Sequence, residues 1–198
     1  MIKVGVTGGI GSGKSTVCRM LCSLSGAPLY DCDGRARELM DSDAVIIEGV
    51  KSLFGSEAYR DGRLDRRLVA ERIFAYRSLM ERLNAIVHPR VIADFENWCR
   101  MQKAPYVVLE SALIFSSPLD GMFDVTVAVD APDNVRVDRC VLRDDASPED
   151  VRRRMASQTP RAEFLARADR IIFNDGRPLD EQVAALHAYI KSLADETV

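Results

Sequence analysis

Residues 2 to 24 join a β-branched stretch, a glycine-rich loop and an amphipathic segment in one run, and that run restricts the fold more than anything else in the chain. Ile2 to Thr7 reads as a short buried strand, and Ser15 to Leu24 carries helical apolar spacing at Val17, Met20, Leu21 and Leu24. Between them, Gly8-Gly9-Ile10-Gly11-Ser12-Gly13-Lys14-Ser15 fits G-x-x-x-x-G-K-[ST]. A chance match is expected in only on the order of a few chains per thousand. A glycine-rich turn would explain the glycines but not Lys-Ser at that offset. The glycines let successive backbone N–H groups turn around an oxygen cluster, and the helix that follows points its positive dipole end at the same place. Lys14 can reach β- and γ-phosphate oxygens, and the Ser15 hydroxyl is placed to ligate Mg²⁺. The expectation is a nucleotide triphosphate site.

The rest of the chain predicts an α/β fold. Further strands are expected at Pro28 to Tyr30, Tyr106 to Leu109, Val125 to Val129 and Ile171 to Phe173, with a closing amphipathic helix from Leu179 to Leu193. Strands that alternate with helices imply a parallel sheet of about five strands flanked by helices. Two helical stretches interrupt the alternation. One runs from about Arg35 to Met101, with apolar helical spacing over Leu64 to Phe74 and Ser78 to Val87 and a turn at Asp61-Gly62 between helical segments. His88-Pro89 reads as a helix boundary, since proline restrains the residue before it. The other stretch is arginine-rich, from Arg139 to Arg170, with a helix start at Ser147-Pro148-Glu149-Asp150. With 198 residues and about 150 per domain, both are insertions into one domain.

Composition excludes several classes. The net charge of −3 argues against a chain whose main task is gripping nucleic acid. No apolar run is long enough for a membrane span, and the N-terminus has no signal pattern. Cys18, Cys22, Cys32, Cys99 and Cys140 match neither a disulfide framework nor a CxxC site, so a soluble cytoplasmic protein with reduced thiols is expected. None of the four asparagines precedes a lysine, which removes the base reader of a guanine-specific switch. A kinase of small molecules or nucleotides fits better: it binds an acceptor hydroxyl beside the γ-phosphate and closes over it.

Thr7 through Ser15, then Asp31-Cys32-Asp33, His88-Pro89, Arg139 with Arg143-Asp144, Ala168-Asp169 and Asn174 follow one another in an order that resembles dephospho-coenzyme A kinase over essentially the whole chain. The resemblance implies an adenylate-kinase-like P-loop core over 1–34, 104–138 and 168–198, a helical substrate-binding insertion over about 35–103 and a lid over about 139–167. It implies transfer of the ATP γ-phosphoryl group to the ribose 3′-hydroxyl of dephospho-CoA, with Mg²⁺ and without nucleic acid or membrane partners. Lys14, Asp33 and Arg139 are implied to be catalytic. ATP binding is implied for Gly8, Gly9, Gly11, Ser12, Gly13, Lys14, Ser15, Thr16, Arg143 and Asn174, and substrate binding for Thr7, Asp31, Asp33 and His88.

Without the resemblance, Asp31 and Asp33 read equally well as a polar turn capping a helix, and Arg139 with Arg143 as a solvated helix face. Asn174 reads either the adenine edge or a turn with Gly176. Other P-loop kinases, acting on a nucleoside monophosphate or small alcohol, and a non-catalytic nucleotide switch are the alternatives. Ala112-Leu113-Ile114-Phe115-Ser116 lacks the family's terminal acid, so Glu110 is the candidate for orienting Mg²⁺-bound water. Arg136 stands where many relatives have glutamine, and Cys18 and Cys22 read as core.

Overall fold

A computed structural model of the chain describes residues 1–76 and 78–196. In chain order its elements are β1 (Ile2–Thr7), α1 (Lys14–Ser25), β2 (Leu29–Asp31), α2 (Cys32–Ser42), α3 (Ala44–Phe54), β3 (Tyr59–Arg60), β4 (Arg63–Leu64), α4 (Arg66–Ala75) and α5 (Ser78–Met101). There follow β5 (Tyr106–Glu110), β6 (Val125–Asp130), α6 (Asp133–Asp144), α7 (Pro148–Ala156), α8 (Arg161–Arg167), β7 (Arg170–Phe173) and α9 (Leu179–Glu196). They form two compact units, Met1–Asp31 with Gln102–Val198, and Cys32–Met101.

The first unit holds a five-stranded parallel sheet in the order β2-β5-β1-β6-β7. Its strands are apolar on both faces, with Val4, Val6, Val108, Val127 and Val129 out of contact with water, as helices on either side of a parallel sheet demand. Val17, Cys18 and Leu21 of α1 and Val183, Leu186 and Ile190 of α9 pack into the same core. Gly26, at φ +71, ends α1 with its N–H on the Cys22 carbonyl. Parallel strands share one carboxyl end, so the loops after β1, β5 and β6 gather along one edge, where open α/β sheets bind ligands.

The second unit is helical. α5 runs 24 residues and buries Leu83, Val87, Val91, Phe95 and Cys99, a four-residue stripe along one face. The boundary expected at His88-Pro89 is absent, because α5 continues through Pro89. Proline removes one N–H from the helix ladder, but Pro89 and Ala85 are both exposed, so water can serve the carbonyl left over. The Asp61-Gly62 turn is present, but it joins β3 and β4 in a small hairpin where helix was expected. Both residues have positive φ, 50° and 77°, as a two-residue hairpin turn of the primed type needs.

Asp43 caps α3: one carboxylate oxygen accepts the N–H groups of Val45 and Ile46, and the other accepts from Arg90 of α5 at 2.7 and 2.9 Å. The Arg90 guanidinium, with the two amides, holds the Asp43 carboxyl below its usual range. A lowered folded pKa stabilises the protein above the unfolded value of about 3.9, and that contribution is lost as pH falls through the folded value. Asp43→Ala should therefore cost about 1–2 kcal/mol at neutral pH, with a gap to the parent that narrows below about pH 4. Urea unfolding at both pH values checks this; a gap independent of pH removes the charge from the account. No helix among the described residues is long and apolar enough to cross a membrane.

Candidate active site

The chain leaves the sheet after Thr7, which is buried at the end of β1 opposite Ala128. Gly8 adopts φ +153, and a Cβ there would lie 2.4 Å from the Val129 carbonyl oxygen. Gly13 adopts φ +91, and its Cβ would lie 2.1 Å from Asn174 Nδ2. No other residue type fits either position. The Ser12 N–H donates to the Gly9 carbonyl at 3.1 Å, and the Gly13 carbonyl accepts from Thr16 and Val17. α1 thus opens at Lys14 with no side chain capping its first turn and no acid within it. Its free N–H groups and dipole are left for an anion. The Ser12 hydroxyl is also buried without a partner among the described residues.

Two oxygen-bearing side chains meet beside this helix start. The Ser15 hydroxyl donates to the Glu110 carboxylate at the end of β5. Glu110 stands in register with Asp31, the last residue of β2. Thr16 is exposed and accepts from Arg19. Cys18 lies one turn behind. Burial, followed by Glu110, pushes its thiol far up, so it stays protonated and acts as core.

α6 and β7 close the loop from the other side. Asn174 Nδ2 donates to the Ser12 carbonyl at 2.9 Å, and Asn174 Oδ1 accepts from Arg139 at 3.1 Å. The Arg139 guanidinium also makes long contacts of 3.4 Å with the Gly11 and Ser12 carbonyls. Both side chains therefore hold loop backbone. Arg143 pairs with Asp144 at 2.7 and 3.0 Å. Of the three consecutive arginines at 152–154, Arg153 pairs with Asp150 and Arg154 with Asp144, while Arg152 is exposed. The Ser116 hydroxyl does no more than reach the Leu113 carbonyl at 3.5 Å.

Three side chains that hold the site were given no role from the sequence. Arg136 is only 5% exposed, and its Nε donates to the Ile10 carbonyl at 3.0 Å. A Cβ on Gly9 would meet its guanidinium at 2.2 Å. Gln158 Oε1 accepts the Ile10 N–H at 2.8 Å. Asp130, 3% exposed at the end of β6, takes Arg161 of α8 in a two-pronged pair at 2.7 and 2.5 Å. Arg136 alone had a local signal, one turn before Arg139 on the same helix face.

Asp33 and His88 belong to the second unit. β2 stops at Asp31, and Asp33 lies in the first turn of α2 rather than in a turn before it. A carboxylate is favoured there by the helix dipole. Cys32, between them, is 7% exposed, so a thiol reagent reaches it poorly in the folded chain. In the same unit Arg35 is forked onto Asp94 and bonded to Glu38. His88 is half-buried on α5, and burial lowers its pKa, leaving a neutral imidazole at pH 7.

The dephospho-CoA kinase family model matches residues 2–180. A dephospho-CoA kinase of Porphyromonas gingivalis is 43% identical over 85% of this chain and 82% of its own length. One from Chlorobium luteolum is 39% identical over 96% of this chain and 91% of its own. The crystal structure of TT1252 from Thermus thermophilus superposes with a TM-score of 0.84 at 36% identity, covering 96% of this chain and 97% of that one.

Proposed function

The chain belongs to the dephospho-CoA kinase family, and from that premise we propose that it transfers the γ-phosphoryl group of ATP to the 3′-hydroxyl of dephospho-CoA, giving CoA and ADP. The observation that carries the chemistry is the uncapped start of α1 behind a loop that only glycines can form. In this reading the loop amides from Gly8 to Ser15, with Thr16, wrap the triphosphate, and Lys14 reaches the β- and γ-oxygens. The Ser12 hydroxyl, buried and unpaired, is free to donate to a phosphate oxygen.

Mg²⁺ fits the donors present. The Ser15 hydroxyl and the Glu110 carboxylate are hard oxygens already in contact, with Asp31 beside Glu110. No group of three or more His, Cys, Asp or Glu residues able to hold a metal occurs among the described residues. That suits an ion bound mainly by phosphates and water. When bound, Mg²⁺ offsets charge on the β- and γ-oxygens. We assign Ser15 as its ligand and Glu110 as the acceptor that orients its water.

For the transfer itself, the 3′-oxygen forms a bond to the γ-phosphorus as the bond to the β,γ-bridging oxygen breaks. Asp33 takes or orients the hydroxyl proton, and Arg139 releases its long carbonyl contacts to offset charge on the equatorial oxygens. Arg143 and Asn174 complete the ATP side, and Thr7, Asp31 and His88 the acceptor side. Residues 35–103 serve as the substrate-binding insertion and 139–167 as the lid. A cytoplasmic setting suits five cysteines that form no disulfide among the described residues.

Mixing the protein with Mg-ATP and a panel of acceptors tests the reading. CoA and ADP should appear in equal amounts with dephospho-CoA alone. ADP release with a nucleoside monophosphate, or without any acceptor, overturns it.

A further inference from the structure

One peptide of the phosphate loop is gripped from both sides by residues far away in sequence. The Ile10 carbonyl accepts from Arg136 Nε of α6 at 3.0 Å, and the Ile10 N–H donates to Gln158 Oε1, between α7 and α8, at 2.8 Å. Arg136 is itself fixed by Asp133 at 3.0 Å. α8, which follows Gln158, is tied to the sheet by the exposed Arg161 forked onto the buried Asp130. Beside this grip lies a cavity of about 10 Å³, room for about one water, lined by Thr7, Gly8, Gly9, Gln158 and Thr159 among others. The segment that carries Gln158 therefore makes its hydrogen bond to the loop backbone at the place where the loop begins to curve.

We propose that Gln158 is a positioning residue for phosphoryl transfer: its carboxamide oxygen latches the α7–α8 segment onto the Ile10 peptide. The segment then covers the loop, and water is kept from the transferring group. This rests on the kinase reading above and adds to it a residue that acts through the loop rather than on substrate. The acceptor oxygen is the working part. A side chain of the same length without an acceptor loses the latch, and one that keeps an acceptor oxygen keeps it. When the latch is lost, water competes with the 3′-hydroxyl, so ADP forms in excess over CoA.

Gln158→Met and Gln158→Glu separate these effects, read as ADP formed per CoA with Mg-ATP and dephospho-CoA, alongside thermal melting. The parent should give a ratio of one. Gln158→Met should raise the ratio at least twofold and cut CoA turnover about tenfold, the weight of one lost hydrogen bond to a backbone group. Gln158→Glu should hold the ratio at one, whatever its carboxylate does to the KM for ATP. A merely structural role would lower the melting temperature of both variants and leave the ratio at one. A ratio of one in Gln158→Met, or equal uncoupling in both variants, overturns the proposal. Failure of the kinase reading is distinct, because the parent itself would then make no CoA.

Discussion

Lys14→Ala should form CoA about 10²–10³-fold more slowly than the parent, with little change in melting temperature. Lys14 is the first residue of α1 and half-buried. Its charge acts with the helix dipole and the free amides on the same oxygens, and it is the mobile part of that set. The nearby arginines are poor substitutes. Arg139 is spread across the Gly11 and Ser12 carbonyls and Asn174, and Arg143 is committed to Asp144. Steady-state rates with saturating Mg-ATP, checked against a melt, decide the matter. A loss below tenfold would mean that the amides alone offset the developing charge.

Asp33→Asn should lower kcat about 10²-fold or more while ATP affinity holds. The amide keeps the shape and the position in the first turn of α2, but it cannot take a proton. The residues proposed to wrap ATP lie in the other compact unit, so calorimetry with Mg-ATP should give the parent affinity. If ATP affinity falls in step with kcat, Asp33 serves the metal or the fold instead. A fall in kcat with an unchanged KM for dephospho-CoA would mark an interaction made only in the transition state.

Much of the fold could be read from the chain because its signals are local. A β-branched strand, four glycines, a lysine and an apolar helix face define β1, the loop and α1 within 24 residues, and the parallel sheet follows from repeated alternation. The failures were of the opposite kind. At Pro89 a local rule predicted a break, but a stripe from Leu83 to Cys99 had enough burial to carry the helix through. At Tyr59 to Leu64 the turn was legible, but strands of two residues are too short for any periodicity to mark. Asp33 lies inside α2 rather than in a turn before it, because an acid in a helix's first turn looks the same in sequence as one in a loop. The loop's supports were the least legible part. Arg136, Gln158, Arg161 and Asp130 carry no motif, and their partners stand up to 148 residues away.

The bond from Asn174 to the Ser12 carbonyl spans 162 residues, and the loop's glycine at position 13 leaves room for that one amide. The phosphate loop is synthesised 162 residues before Asn174. A ribosome-bound chain that stops short of β7 carries the whole sequence motif yet lacks the clasp from Asn174 to the loop. That clasp forms only after β7 has been made and has come into one sheet with β1. A nucleotide that binds only the clasped loop then adds stability to chains that have made the clasp and none to those that have not.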